Sequence, residues 1–209
     1  IANPEDWVGA FRKLPNNLQL MTVHSLQSVA FNKTIRARIN ENISLSTPVE
    51  GDIVGRVDEN GQLETSSMVK VEQRTLNRIS RNCKLGRLVV TGQLPGSRLD
   101  RSDGIVGEIE NSVLKEMGLE DTTWKVEQIG RLTTKGTRRP LVTTFSEFQF
   151  ESVPLAGEET MSEKWTDGVQ EGDLWHPEGA CIRFRFTLPS GSYATTLLRE
   201  FMRTPLQQL

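Results

Sequence analysis

The chain has 209 residues, 36% hydrophobic and 25% charged, and its 25 basic and 27 acidic side chains give a formal charge of −2. That is enough chain for one large domain or two small ones, each with a core of its own, and no run approaches the roughly 18 apolar residues a membrane span needs. Neither a basic n-region nor an apolar stretch occurs in Ile1-Ala2-Asn3-Pro4-Glu5-Asp6, and the two cysteines, Cys83 and Cys181, form no C-x-x-C pair. No secretory leader or membrane attachment is read, and a reduced, cytoplasmic setting is expected.

Leu18 to Asn42 reads as a helix: Phe31, Ile35 and Ile39 recur at i+4, Val23, Leu26 and Ala30 fill the adjoining stripe, and Pro15-Asn16-Asn17 signals the start. Asp52 to Val57 and Gln62-Leu63 read as a strand pair, with Asn60-Gly61 favouring a primed turn. Met68 to Lys84 returns to helical spacing, with Val69, Leu76, Ile79 and Cys83 on one side and Lys70, Arg74, Arg78, Arg81 and Lys84 on another. Arg87 to Thr91 is a short strand ended by Leu94-Pro95-Gly96, and Gly104 to Met117 a helix stopped by Gly118. Phe145, Phe148 and Phe150 mark strand material, followed by an acidic segment. From Ala180 to Leu188 apolar Ile182, Phe184 and Phe186 alternate with Arg183 and Arg185, so the even positions should be buried and the arginines should face the other way. Pro189-Ser190-Gly191 turns the chain into a last helix capped by Ser192. Helices and strands mixed without a βαβ rhythm indicate an α+β fold.

Several chemistries lack their residues. His24 and His176 have no second ligand type at metal spacing, and neither phosphate-loop nor dinucleotide fingerprint nor nucleophile elbow occurs. His24 on an apolar helix reads as a hydrogen-bonded core residue, and carboxylate spacing alone nominates no general acid. Local charge is more informative. Between Ser67 and Arg101 eight bases stand against two acids, whereas between Leu155 and Glu178 seven acids stand against Lys164. Arg131 to Arg139 holds four bases, including Arg138 and Arg139, and no acid. Three basic clusters (the 70–84 face, the 131–139 run and the Arg183/Arg185 face) in an acidic protein suggest RNA, because screening lets a polyanion feel patches and not totals. The bland alternative for the 70–84 face is a solvated helix side; for the acidic segment it is a solvated loop, with a protein-docking role as a poorer reading.

The segment Leu188-Pro189-Ser190-Gly191-Ser192-Tyr193-Ala194-Thr195-Thr196-Leu197-Leu198-Arg199-Glu200 closely resembles the C-terminal signature of TruD-type transfer-RNA pseudouridine synthases. Val23 to Asn32, with Gln27-Ser28 and Phe31-Asn32, looks like that family's Gln-Ser and Phe-Asn helix. Thr91-Gly92-Gln93-Leu94-Pro95-Gly96 resembles its Leu-Pro-Gly element and Gly136-Thr137-Arg138-Arg139 a Gly-x-Arg-Arg stretch, while Gly9 to Pro15 points to archaeal members. The resemblance runs from about Trp7 to Arg203. It implies an inserted TRUD-type domain with its flanking helix over 1–142, and strands and a helix of the catalytic core over 143–209.

The implied activity is isomerisation of uridine in transfer RNA, typically at position 13, with transfer RNA as partner and neither metal nor nucleotide cofactor. The N-glycosidic bond breaks, the uracil turns and rejoins the ribose through carbon, and an aspartate does the covalent or electrostatic work. That aspartate belongs to a Gly-x-Lys-Asp-like motif, and here no Asp follows a Lys. The expectation is therefore a fragment with no catalytic residue of its own, the aspartate lying upstream of Ile1 in a missing N-terminal segment of the same protein. The rival is a non-catalytic RNA-binding protein of the same architecture. Leu188, Gly191, Ser192 and Tyr193 are expected to line the pocket for a flipped base, and Lys70, Arg74, Arg78, Arg81, Lys84, Arg138, Arg139, Arg183 and Arg185 to contact RNA.

Overall fold

The computed structural model describes residues 5–153 and 181–202. The chain divides into two compact units, Ile1–Val142 and Thr143–Leu209, and helices beside antiparallel sheets make the fold α+β. The acidic 155–178 segment, His176 and Ala180 lie outside the described residues. Among the described residues no helix is long and apolar enough to cross a membrane.

In the first unit a short helix α1 (Trp7–Arg12) leads into α2 (Asn16–Asn40). The long helix occurs where periodicity predicts it, but its buried face differs. Gln27, Ala30, Phe31, Thr34 and Arg38 are buried, Ile35 and Val23 are half-buried, and Leu26 and Ile39 are exposed. The 27–31–34–38 row faces inward because Arg38 finds a partner there. Its guanidinium donates to Asp52 Oδ1 and Oδ2 at 2.6 and 2.8 Å, and to the Ser44 carbonyl at 2.9 Å. A paired charge can be buried where an unpaired one cannot. His24, expected in the core, is exposed on this helix.

Four antiparallel strands, β1 (Ile53–Gly55), β2 (Val69–Lys70), β3 (Val89–Leu94) and β4 (Thr137–Pro140), lie in the order β2-β1-β3-β4. Val54 sits opposite Val90, and Gly92 opposite Arg139. Helix α3 (Leu76–Lys84) covers one face, where Val54, Val71, Ile79 and Val90 are buried with Leu76, Cys83, Leu88 and Leu141 around them. Helix α4 (Gly104–Glu116) lies against α2 and ends before Gly118, as expected.

Two expectations are corrected. The helix expected from Met68 begins only at Leu76, because Val69 and Lys70 pair with Val54 and Ile53 as strand and Val71 is buried. The Thr75 hydroxyl then accepts from the Glu72 amide at 3.1 Å and donates to the Glu72 carbonyl at 3.0 Å, turning the chain before the helix. The 58–62 hairpin forms, with a Val57–Leu63 bridge, but its turn is not primed. Only Gly61 takes a positive φ (74°), whereas a type I′ turn needs one at both central residues.

Among the described residues the second unit holds a two-stranded antiparallel sheet, β5 (Ser146–Val153) with β6 (Cys181–Thr187), and then helix α5 (Ala194–Met202). Phe150 stands opposite Phe184, and the register shifts between Ser146 and Gln149 where Glu147 adopts φ 53°. Phe201 of α5 stacks on Phe148 and Phe184 at centroid distances of 5.1 and 5.2 Å. The expected alternation along β6 holds only from Phe184 onward and fails at its start, where Ile182 is exposed and Arg183 half-buried. Phe184 and Phe186 are half-buried, while Ile182 is 58% exposed because the Phe201 cover reaches the Phe184 end and no further.

Candidate nucleic-acid interface and terminal turn

The sequence blocks Gln27-Ser28, Leu94-Pro95-Gly96 and Gly136-Thr137-Arg138-Arg139 converge in the first unit. Gln27, only 6% exposed, donates Nε2 to the Pro95 carbonyl at 2.7 Å and to Thr134 Oγ1 at 3.2 Å. Gly96 then passes so close to Gly136 that a Cβ on it would stand 1.9 Å from the Gly136 nitrogen. No side chain fits there. The convergence welds α2, the end of β3 and the start of β4, and its chemistry is structural.

The basic candidates separate by surroundings. Arg138, 3% exposed, donates to Thr91 Oγ1, the Thr91 and Asp100 carbonyls, Ser102 Oγ and Glu110 Oε1 at 2.8 to 3.1 Å. A guanidinium so enclosed has no face to offer a phosphate, so Arg138 leaves the candidate RNA surface and becomes a core residue. Its neighbour Arg139 is half-buried over the Phe31 ring, 5.6 Å from the centroid. Arg131 donates to Gln19 Oε1 at 2.5 Å, tying its segment to α2. The 131–139 run is thus largely spent on internal contacts.

The 70–84 set divides as well. Lys70, on β2, pairs with Asp103 at 2.7 Å, and Arg74, in the turn before α3, pairs with Glu72. That hydrogen bond and charge raise the pKa of the Arg74 guanidinium. Arg78, Arg81 and Lys84 are exposed on α3 with no carboxylate partner among the described residues. Their side chains remain as the cationic row of this helix.

A cleft of about 670 Å³ opens beside the end of α3, lined by Arg56, Asp58, Asn82, Gly86 and Arg87 among others. Arg56 and Arg87 do not stand out in the sequence, since a single-helix pattern cannot join residues that only the β1–β3 pairing brings side by side. Among the described residues the two buried carboxylates are both ion-paired. Asp52 is held by Arg38, and Glu110 by Arg138.

In the second unit the 188–193 residues form the expected turn. The Ser192 amide donates to the Pro189 carbonyl at 3.1 Å, and Gly191 between them takes φ 82°, which a side chain would strain. Leu188 and Ser192 are half-buried; Ser192 Oγ lies 3.4 Å from Thr143 Oγ1. Tyr193, directly before α5, is 58% exposed. On β6, Arg183 stands opposite Glu151 and is half-buried, whereas Arg185, opposite Gln149, is exposed.

The family model described as "tRNA pseudouridine synthase D (TruD)" matches residues 1–201. The chain belongs to the TruD family. A Methanosarcina mazei protein named "Probable tRNA pseudouridine synthase D" is 41% identical over 99% of this chain and 43% of its own length. One of the same name from Thermococcus sibiricus is 32% identical over 94% of this chain and 40% of its own. A crystal structure of a Methanosarcina mazei protein with the TruD designation superposes with a TM-score of 0.75 at 38% identity, covering all of this chain and 43% of that one. The chain thus spans less than half the length of the TruD relatives it matches.

Proposed function

We propose that this chain supplies the RNA-binding and pocket-lining part of a cytoplasmic transfer-RNA uridine isomerase of the TruD type, with residues 1–142 as the TRUD-type domain and 143–209 as part of the catalytic core. The observation that carries the reading is the turn at Gly191, which leaves the Tyr193 ring open to solvent at the start of α5 inside the segment most like the family signature. An exposed aromatic beside a rigid turn is what a base taken out of its stack can lie on. Arg78, Arg81 and Lys84 on α3, with Arg185 on β6, supply phosphate contacts. The bond-breaking step, release of uracil from the ribose nitrogen link and its return through carbon, falls to an aspartate outside this sequence, since no Asp here follows a Lys.

The test is tritium release from 5-tritiated uridine in transfer-RNA transcripts. The full-length protein is expected to release tritium and the 209-residue chain alone to release none. Full-length protein that binds transfer RNA without releasing tritium would mark a non-catalytic RNA binder instead.

A further inference from the structure

The cleft beside α3 has a chemistry of its own. Gly55 pairs with Val89 across β1 and β3, so the next residues outward, Arg56 on one strand and Arg87 and Leu88 on the other, leave the sheet together. Both arginines are exposed and neither has a carboxylate partner among the described residues. Asn82 forms the third wall. Its Nδ2 donates to the Arg78 carbonyl at 2.8 Å, which holds the amide in place and leaves Oδ1 as an acceptor. Arg78 lies one turn before Asn82 on the same helix side, so the cleft continues into the α3 cationic row.

Two features could oppose an anion here. The end of a helix carries partial negative charge, but the carbonyls of Arg81, Asn82 and Cys83 already accept from the amides of Leu85, Arg87 and Gly86 at 3.0 to 3.1 Å. Asp58 also lines the cleft, yet its Oδ1 accepts from the Asn60 and Gln62 amides at 2.9 and 2.7 Å, turned into its own hairpin. Glu59 remains as an acidic rim. The volume lies in the range of roughly 300–1,000 Å³ that small-ligand sites occupy.

We propose that this cleft holds a short stretch of the RNA sugar–phosphate backbone, with Arg56 and Arg87 on successive phosphates and Asn82 Oδ1 accepting from a 2′-hydroxyl. The inference rests on the RNA-binding reading and extends it by a further pair of contacts beside the α3 row. Spaced phosphates need only two points of contact, which Arg56 and Arg87 provide on the two strands.

The experiment compares full-length protein with the pair Arg56→Gln/Arg87→Gln and, separately, Arg78→Gln/Arg81→Gln. Binding to a transfer-RNA transcript is measured from 50 to 200 mM salt, and each variant's melting curve is checked against the parent. Arg56→Gln/Arg87→Gln is expected to flatten the slope of log affinity against log salt by roughly 1.4 to 1.8, narrowing the gap to the parent about 7- to 12-fold across that range. Arg56→Lys/Arg87→Lys, which keeps the charges, should restore most of the slope. If Arg78→Gln/Arg81→Gln flattens the slope and the cleft pair leaves it unchanged, the inference is overturned while the RNA-binding reading stands. If neither pair changes it, both fall. Should the cleft pair unfold, Arg56→Gln and Arg87→Gln are read singly, each expected to flatten the slope by roughly 0.7 to 0.9, and an unchanged slope in both overturns the inference.

Discussion

Arg138 and Glu110 form an ion pair 2.8 Å long with both side chains almost wholly removed from water. Desolvating two charges is costly, and the pair is held by the further bonds Arg138 makes to Thr91, Asp100 and Ser102. Arg138→Met is expected to cost about 3–5 kcal/mol in urea unfolding, because it strands the Glu110 charge, whereas Arg138→Met/Glu110→Leu should recover much of that loss. If the double variant is no more stable than the single one, the pair is not the source of the effect. Folded protein carrying the double change should keep its RNA affinity, which separates a core role from a phosphate contact. At Cys83 burial pushes the thiol up, with the charge of Asp52 adding, so the thiolate is scarce at neutral pH. In a Cys181→Ser background, alkylation of Cys83 at pH 8 should be slower than that of a small thiol with the usual pKa of about 8.5. Because the folded state holds this proton more tightly, stability is full below the unfolded value and declines as pH rises from there through the raised folded value. Cys83→Ala should remove that part of the alkaline decline in a pH series of unfolding curves.

At the scale of elements, helix α3 separates the two uses of positive charge. Arg78, Arg81 and Lys84 project from it with no carboxylate partner among the described residues, whereas Lys70 and Arg74, outside the helix, sit in ion pairs. Changing Arg78, Arg81 and Lys84 together to Gln should flatten the salt slope of RNA binding by roughly 2–3 with little change in sequence preference. Lys70→Gln and Arg74→Gln should change it much less. An equal effect from both sets would mean the ion pairs open on binding. The limits of the sequence show in the same region. Spacing located α3's core side at Leu76, Ile79 and Cys83, but could not see that Val69 and Lys70 pair with a strand fifteen or more residues earlier. Along α2 the length was readable from the absence of breakers. Its inward face was not, because Gln27 and Arg38 in that row are buried through Pro95, Thr134 and Asp52, which lie outside the helix, while Thr34 bonds the Ala30 carbonyl within it. Local pattern reports periodicity; it does not report which polar groups will find each other.

At the scale of the whole molecule, the α+β class followed from mixed helical and alternating segments, and the family followed from one specific block, Leu188 to Glu200. The candidate site was half readable. Exposed α3 cations were visible as a row, while Arg138 looked equivalent to them until its burial was known; Arg87 counted only toward the 67–101 charge and Arg56 had no signal at all. Tyr193 is where binding and turnover should part. Stacking on its ring is worth roughly 1–3 kcal/mol per base. A base that stacks there only after leaving its helix contributes to the reacting complex more than to first binding, which many phosphates share. In the full-length protein Tyr193→Ala should therefore lower the single-turnover rate of tritium release by about 5- to 150-fold, the rate equivalent of that stacking energy, with less than a threefold change in transfer-RNA affinity. Tyr193→Phe keeps the ring and should retain most of the rate. A Tyr193→Ala protein with unaltered turnover, or a Tyr193→Phe protein as slow as Tyr193→Ala, removes stacking from the mechanism: in the first case the ring is idle, and in the second the hydroxyl does the work.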